Sequence, residues 1–334
     1  MKIGVRFVDH LGTPGELVEL AVAADRLGFH SVVFPHDTFR YHGWVLAAAV
    51  AQATRQIQIM PEGTNPWSTH PSDIATLAAT LDHVSRGRAI LGLGLHTDQL
   101  LKWAGIEVER AAIVPAIRET AEAIRAVWRG EAAPCRGDHV RWPDTAFLRF
   151  RPFRPAVPLY VCPFGPELLE LSGAIGDGSL PMCTPPQSAR LMCDHVRRGA
   201  RAAGRDPAAL DLVGFVWVSC AADGRAARNQ MAEIVAFYGP YLEAEPLATI
   251  GLTPADFDPI RQRMARGDRT GAAALVTDPM LQLGMFGTPR DVVRQMEPLI
   301  SGGVTHVSLG GPLGPDPHAA LELLGTEVLP HFAG

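Results

Sequence analysis

MKIGVRFVDHLGTPG, residues Met1–Gly15, separates two possible folds. Its first eight residues are apolar and rich in β-formers, so the chain opens on a strand. A doubly wound nucleotide-binding sheet would follow that strand with G-x-G-x-x-G, whose glycines let the backbone approach a pyrophosphate. The turn here reads VDHLGTPG and lacks that spacing. PGELVELAVAADRLGF (Pro14–Phe29) then places Leu17, Leu20, Ala21, Ala24 and Leu27 at helical spacing, with Pro at its start and Gly28 at its end.

The same alternation continues outward. Strands are expected at Ser31–Pro35, Ile57–Pro61, Arg88–Leu95, Val157–Cys162, Gly178–Cys183, Leu210–Cys220 and Val304–Gly311. Helices are expected between them, among them Gly43–Thr54, Pro71–Ser85, Ala116–Gly130 and Pro166–Ile175. The strands are short and apolar on both faces, as in a parallel sheet covered by helices. Strand and helix alternate about eight times, which predicts a single (β/α)8 TIM barrel of about 250 residues. Two insertion segments account for the excess length. One, about 131–155, is rich in Pro and Arg and reads as a hairpin; the other covers about 239–287. The whole chain is read as one domain.

Composition limits the partners. The 334 residues are 47% hydrophobic and 19% charged, enough for a large soluble core. A formal charge of −5 argues against nucleic acid as partner. Lys2 and Lys102 are the only lysines, so Arg carries nearly all the positive charge. No apolar run reaches the roughly 18 residues of a membrane span, and no signal peptide is evident. The five cysteines form no C-x-x-C pair, which predicts a reduced, cytoplasmic protein with neither a disulfide framework nor a metal site.

In a barrel of this kind, chemistry collects where the strands end. Those ends carry Arg6 and Asp9; His36 and Asp37; Glu62, Thr64 and Asn65; His96 and Asp98; Cys162 and Phe164; Met182 and Cys183; and Gly310 and Gly311. Arg6 alternates with Val5 and Phe7 in an apolar strand, so it should point into the barrel mouth. A charge there needs a carboxylate or an anionic ligand beside it. PEGTNPWSTHP (Pro61–Pro71) spends eleven residues, three of them proline, where a plain strand-to-helix turn needs two or three. FGPELLEL (Phe164–Leu171) offers a helix N-terminus with Pro166 at its first position, suited to a phosphate. Arg190, Arg197, Arg198 and Arg201 recur along one later helix; they could meet an acidic cofactor tail, but a solvated face is the expected reading.

These segments, in this order along the whole chain, resemble the deazaflavin-dependent branch of the luciferase-like superfamily, and most of all the methylenetetrahydromethanopterin reductases. MKIGVRFV, PEGTNPWSTHP, SRGRAILGLG, VPLYVCPFGPELLELSGAIGDG, ARGDRTGAAALVTDPM, FGTPRDVV and GVTHVSLGGPLGPD carry the likeness. It implies a (β/α)8 barrel, bound coenzyme F420 and hydride transfer between deazaflavin C5 and a carbon of the substrate. It also implies a non-prolyl cis peptide at Glu62–Gly63, placed against the central ring of the deazaflavin. Glu62, Gly63, Thr64, Asn65, Asp98, Cys162, Phe164, Gly165, Pro166 and Met182 are the cofactor-binding candidates. His36, Asp37 and Asp98 are the acid–base candidates, with His42 and His70 behind them. Arg6 is the substrate-side candidate. The pterin reductases carry an acidic residue at the Arg6 position and an Asp-His pair where this chain has His36-Asp37, so the likeness is weakest on the substrate side.

The expected function is therefore a coenzyme F420-dependent oxidoreductase acting on a small molecule with a C=N or C=C bond, pterin-like or a secondary metabolite. A homo-oligomer, dimer or tetramer, is expected. The alternatives are an FMN-dependent luciferase-like monooxygenase and a non-catalytic cofactor-binding homologue.

Overall fold

Val32 and Phe34 pack outward against helices, while Val33 between them joins a second apolar cluster inside the sheet. The same two-residue period sends Tyr160 and Cys162 inward and Leu159 and Val161 outward. The computed structural model describes residues 1–95, 98–130, 135–143 and 145–332, and only the backbone of 98–100. Eight parallel strands form the sheet: β1 (Lys2–Arg6), β2 (Ser31–Pro35), β3 (Gln58–Glu62), β4 (Leu91–Gly94), β5 (Leu159–Cys162), β6 (Gly178–Ser179), β7 (Asp211–Cys220) and β8 (His306–Leu313). β1 lies between β2 and β8, with Arg6 beside Val33 on one side and Gly310 on the other. Single bridges, Ile59 to Ala89 and Thr64 to Leu93, bring β3 to β4 and leave the ring nearly closed. This is the (β/α)8 barrel that the alternation predicts.

Several boundaries differ from the expected ones. β4 starts at Leu91 rather than Arg88; the backbone around Ala89 meets Ile59 only as a single bridge, while the Arg88 guanidinium turns back to the carbonyls of Ala51, Thr54 and Ile57. β6 has only two residues. The helix expected from Ala116 begins at Arg110 and carries Pro115 inside it. Proline removes one amide from the ladder there, and burial of Ile117, Ala121, Ile124 and Trp128 offsets the loss. The expected hairpin appears as Cys135–Arg136 paired antiparallel with Arg141–Trp142. In 239–287, short helices precede a further strand, Gly284–Gly287, which pairs with the upper half of β7.

Arg190, Arg198 and Arg201 of helix Ala189–Ala202 are exposed, as expected of a solvated face, and Arg197 is half-buried. Arg190 donates to the carbonyl of Ser301, Arg197 to that of Gly303, and Arg198 to Glu170. They tie this helix to its neighbours on both sides.

A polar network closes the barrel floor. The Asp211 carboxylate accepts from Tyr160 at 2.6 Å and Lys2 at 2.9 Å, and lies 3.2 Å from His306 Nδ1. His306 Nε2 lies 2.9 Å from Ser31 Oγ. A Cβ on Gly4 would sit 2.0 Å from that Oγ, so only glycine leaves room for the contact. Burial alone would raise the Asp211 pKa; bonds with His306, Tyr160 and Lys2 outweigh it and hold the carboxyl far below its usual range. Four strands thus meet at one carboxylate, and β2 joins them through Ser31 and His306.

Candidate active site at the barrel mouth

Arg6, last residue of β1, points inward as its alternation requires. Its Nε lies 2.6 Å from Glu62 Oε2 at the end of β3. The Glu62 side chain is 0% exposed and that of Arg6 13%. Burial alone would lower the Arg6 pKa, and the Glu62 carboxylate raises it above its ordinary value. The guanidinium carbon sits 4.7 Å from the centroid of the Phe215 ring. Trp217, two residues on and also inward, stacks near Tyr238 at 5.8 Å.

His36 and Asp37 follow β2 and reach the same mouth. The His36 amide donates to the Glu62 carbonyl at 2.6 Å. Its ring lies 4.6 Å from that of His42. Asp37 is 3.7 Å from Arg40 Nε, and Arg40 also binds Asp9. The structure therefore brings Arg6, Glu62, His36 and Asp37 together. His70 is elsewhere: it caps the helix Pro71–Ser85, accepting from the Ser72 amide. Asp98 opens the short helix Asp98–Trp103, but its side chain and all of His96 lie outside the described residues.

The bulge after β3 departs from expectation. The Glu62–Gly63 bond is not cis; among the described residues the one cis bond joins Gly311 and Pro312. Gly63 makes the turn with a trans bond by taking φ +80°, a region open to glycine. Its amide binds Cys162 Sγ, and Thr64 pairs with β4 through the Gly92 carbonyl and the Gly94 amide. Asn65 is spent within the loop: its Oδ1 accepts from the amides of Trp67 and Ser68, and its Nδ2 donates to the Gly63 carbonyl. Trp44 Nε1 donates to Thr64 Oγ1 at 3.1 Å. Glu62, Gly63, Thr64 and Asn65 are all buried. Cys162 is buried too, and desolvation with the nearby Glu62 charge pushes its thiol well above the ordinary value, which leaves it inert.

The other cofactor candidates line open space. Phe164, Gly165 and Pro166 stand between two clefts. One, of about 230 Å³, has Leu95, Val108, Ile113 and Val114 as its apolar wall and Arg110 as its cation. The narrower one holds Met182, Cys183, His195, Glu243 and Glu245. Gly165 caps helix Pro166–Ile175 at φ +82° without a side-chain cap. Its first amides and Arg110 suit the anionic part of an elongated cofactor, and the apolar wall suits its flat part. The predicted set thus divides in two: Phe164, Gly165, Pro166 and Met182 line the clefts, while Glu62–Asn65 and Cys162 are buried and line neither.

Sequence reasoning missed Phe215, Trp217, Tyr238 and Arg110. A signal existed for the first two, since GFVWVSC alternates aromatic residues with Val216 and Val218. Among the described residues, no group of His, Cys, Asp and Glu is arranged to hold a metal, and no helix is long and apolar enough to cross a membrane.

Comparison with known proteins supplies a context for this geometry. The family model described as luciferase-like monooxygenase matches residues 1–306. The 5,10-methylenetetrahydromethanopterin reductase of Archaeoglobus fulgidus is 30% identical over 335 residues, covering 99% of each chain. The F420-dependent glucose-6-phosphate dehydrogenase of Amycolatopsis mediterranei is 29% identical, covering 99% of this chain and 98% of the relative. The solved coenzyme F420-dependent tetrahydromethanopterin reductase from Methanopyrus kandleri matches with TM-score 0.93 and 27% identity over 99% of both chains.

Proposed function

We infer the function from one premise: the chain belongs to the luciferase-like monooxygenase family. We propose that it is a coenzyme F420-dependent oxidoreductase working on a small organic molecule at the barrel mouth. The observation that carries this reading is the likeness, along 99% of both chains, to a reductase named for that coenzyme.

A bound deazaflavin would supply a carbon, C5, that gives or takes a hydride. This chain's residues would do the rest. Phe164–Pro166, Met182 and Arg110 would hold the coenzyme in the clefts. The trans bulge Gly63–Asn65 would fix the layer under it. Arg6 and Glu62 would set the electrostatics of the mouth. His36, Asp37 or Asp98 would move the proton, and a His near neutral pH is the natural shuttle. The substrate carries a C=N or C=C bond in this reading, and Arg6 with His36-Asp37 sets it apart from the substrate side of the pterin reductases. The whole chain acts as one domain with its two insertions. Exposed Phe39, Tyr41 and Val45 support assembly into a homo-oligomer.

The second reading, an FMN-dependent monooxygenase, draws on the description of the family model itself. An isotope experiment separates the two. Coenzyme F420 reduced with deuterium at C5 is incubated with the protein and a panel of imines, enones and ketones. Deuterium in a product carbon supports the proposal. Product oxygen derived from O2, obtained with reduced FMN and without deuterium transfer from the deazaflavin, would replace it with the monooxygenase.

A further inference from the structure

The barrel mouth leaves one strong donor group unspent. Arg6 gives its Nε to Glu62 at 2.6 Å, and one face of its guanidinium lies over Phe215. Among the described residues, the two terminal amino groups of Arg6 have no hydrogen-bond partner, and 13% of the side chain stays open. The opening lies at the C-terminal end of β1, the end where barrel enzymes meet their substrates.

The charge of Arg6, in contrast, is already matched. Glu62 is buried against it, and Asp37 adds a second carboxylate to its surroundings. Arg40 is held by Asp37 and Asp9. Among the described residues, three carboxylates therefore face two guanidinium groups. His10, next to them, is kept toward its neutral form by burial. An anion entering this mouth would lose its hydration and meet no net positive field. A neutral acceptor loses less on desolvation and still satisfies the open N–H groups with charge-assisted bonds. Phe215 and Trp217 are themselves buried, at 2% and 5% exposed, so they back the guanidinium from the core and hold its open N–H groups toward the mouth.

We infer that Arg6 determines substrate specificity by donating to a neutral acceptor, a ketone, amide or imine, and that the mouth selects against carboxylates and phosphates. The inference rests on the mouth being the substrate side of the proposed oxidoreductase.

Two probes of one ring size test it: cyclohexanone and cyclohexanecarboxylate. Their affinities are measured by ligand-observed NMR with and without coenzyme F420, in the wild type and in the double variant R6M/E62Q, which leaves no buried ion unpaired. Coenzyme affinity and melting temperature are measured on the same samples. The ketone should bind about tenfold or more tightly than the carboxylate, and the double variant should lose about tenfold in ketone affinity. Should that variant fail to fold, Arg6→Lys, which keeps the charge and loses the guanidinium fork, carries the same expectation. A carboxylate that binds as well as the ketone, no ketone binding at all, or an unchanged ketone affinity in the variants would overturn the inference. If the coenzyme fails to bind while the ketone comparison holds, the cofactor assignment falls and the role of Arg6 stands.

Discussion

Arg6 Nε and Glu62 Oε2 lie 2.6 Å apart and join β1 to β3 over the end of β2. The pair is desolvated on the Glu62 side, so its two members are worth most to each other. Removing only one strands a buried charge. Glu62→Ala should therefore cost ~3 kcal/mol of stability, and R6M/E62Q clearly less. Urea unfolding of both variants checks this. A Glu62→Ala protein no less stable than the double variant would mean that the mouth is wetter than its geometry indicates.

Gly63 is the conformational pivot of the bulge. At φ +80° any Cβ is strained, by ~1–2 kcal/mol for an ordinary residue and more for a β-branched one. Gly63→Val should lower the melting temperature measurably, and Gly63→Ala by less. A Gly63→Val protein that melts with the wild type would place this backbone in another conformation.

The floor gives a pH signature. Burial, with His306 and Lys2 nearby, lowers the pKa of His30 to about 4, against about 6.5 when unfolded. The unfolded chain then binds the extra proton between those values, so this group lowers stability as the pH falls from 6.5 toward 4. Asp211 has the opposite timing. Its carboxyl is held far below its usual range, so its contribution is present above the unfolded value near 4 and is lost only at still lower pH. His30→Asn should flatten the stability profile between pH 6.5 and 4, read as urea midpoints across that window. An unchanged slope would remove His30 as its source.

His36 sits where a proton could be handled, next to the Glu62 carbonyl and against the His42 ring. His36→Ala should slow turnover by roughly 10²–10⁴ with coenzyme affinity retained. Asp37→Ala should perturb it through Arg40 as well, since the two are 3.7 Å apart. Single-turnover rates on the coenzyme-loaded protein decide this. Full activity in both variants would move the proton to Asp98 or to water.

Local pattern carried much of this structure. Alternation around Val33, and in LYVC, set the inward and outward faces, and the missing glycine fingerprint after β1 pointed to the barrel rather than the open sheet. The inward turn of Arg6 followed from the same two-residue period. Partners far apart in sequence were not legible. Nothing near Asp211 announces that His306, 95 residues on, will meet it, or that Phe215 will lie under Arg6. The cis bond expected at Glu62 came from resemblance, and the backbone instead uses the left-handed freedom of Gly63. The early start of the Arg110 helix was hidden because Pro115 reads locally as a boundary.

Cofactor choice separates the two candidate chemistries of this barrel, and one titration decides it. The purified protein, stripped of small molecules, is titrated with coenzyme F420 and with FMN side by side under the same conditions, following cofactor fluorescence. Saturable binding of coenzyme F420 is expected, at least about tenfold tighter than that of FMN, a difference of about 1.4 kcal/mol. Micromolar FMN binding with no detectable binding of coenzyme F420 would contradict it.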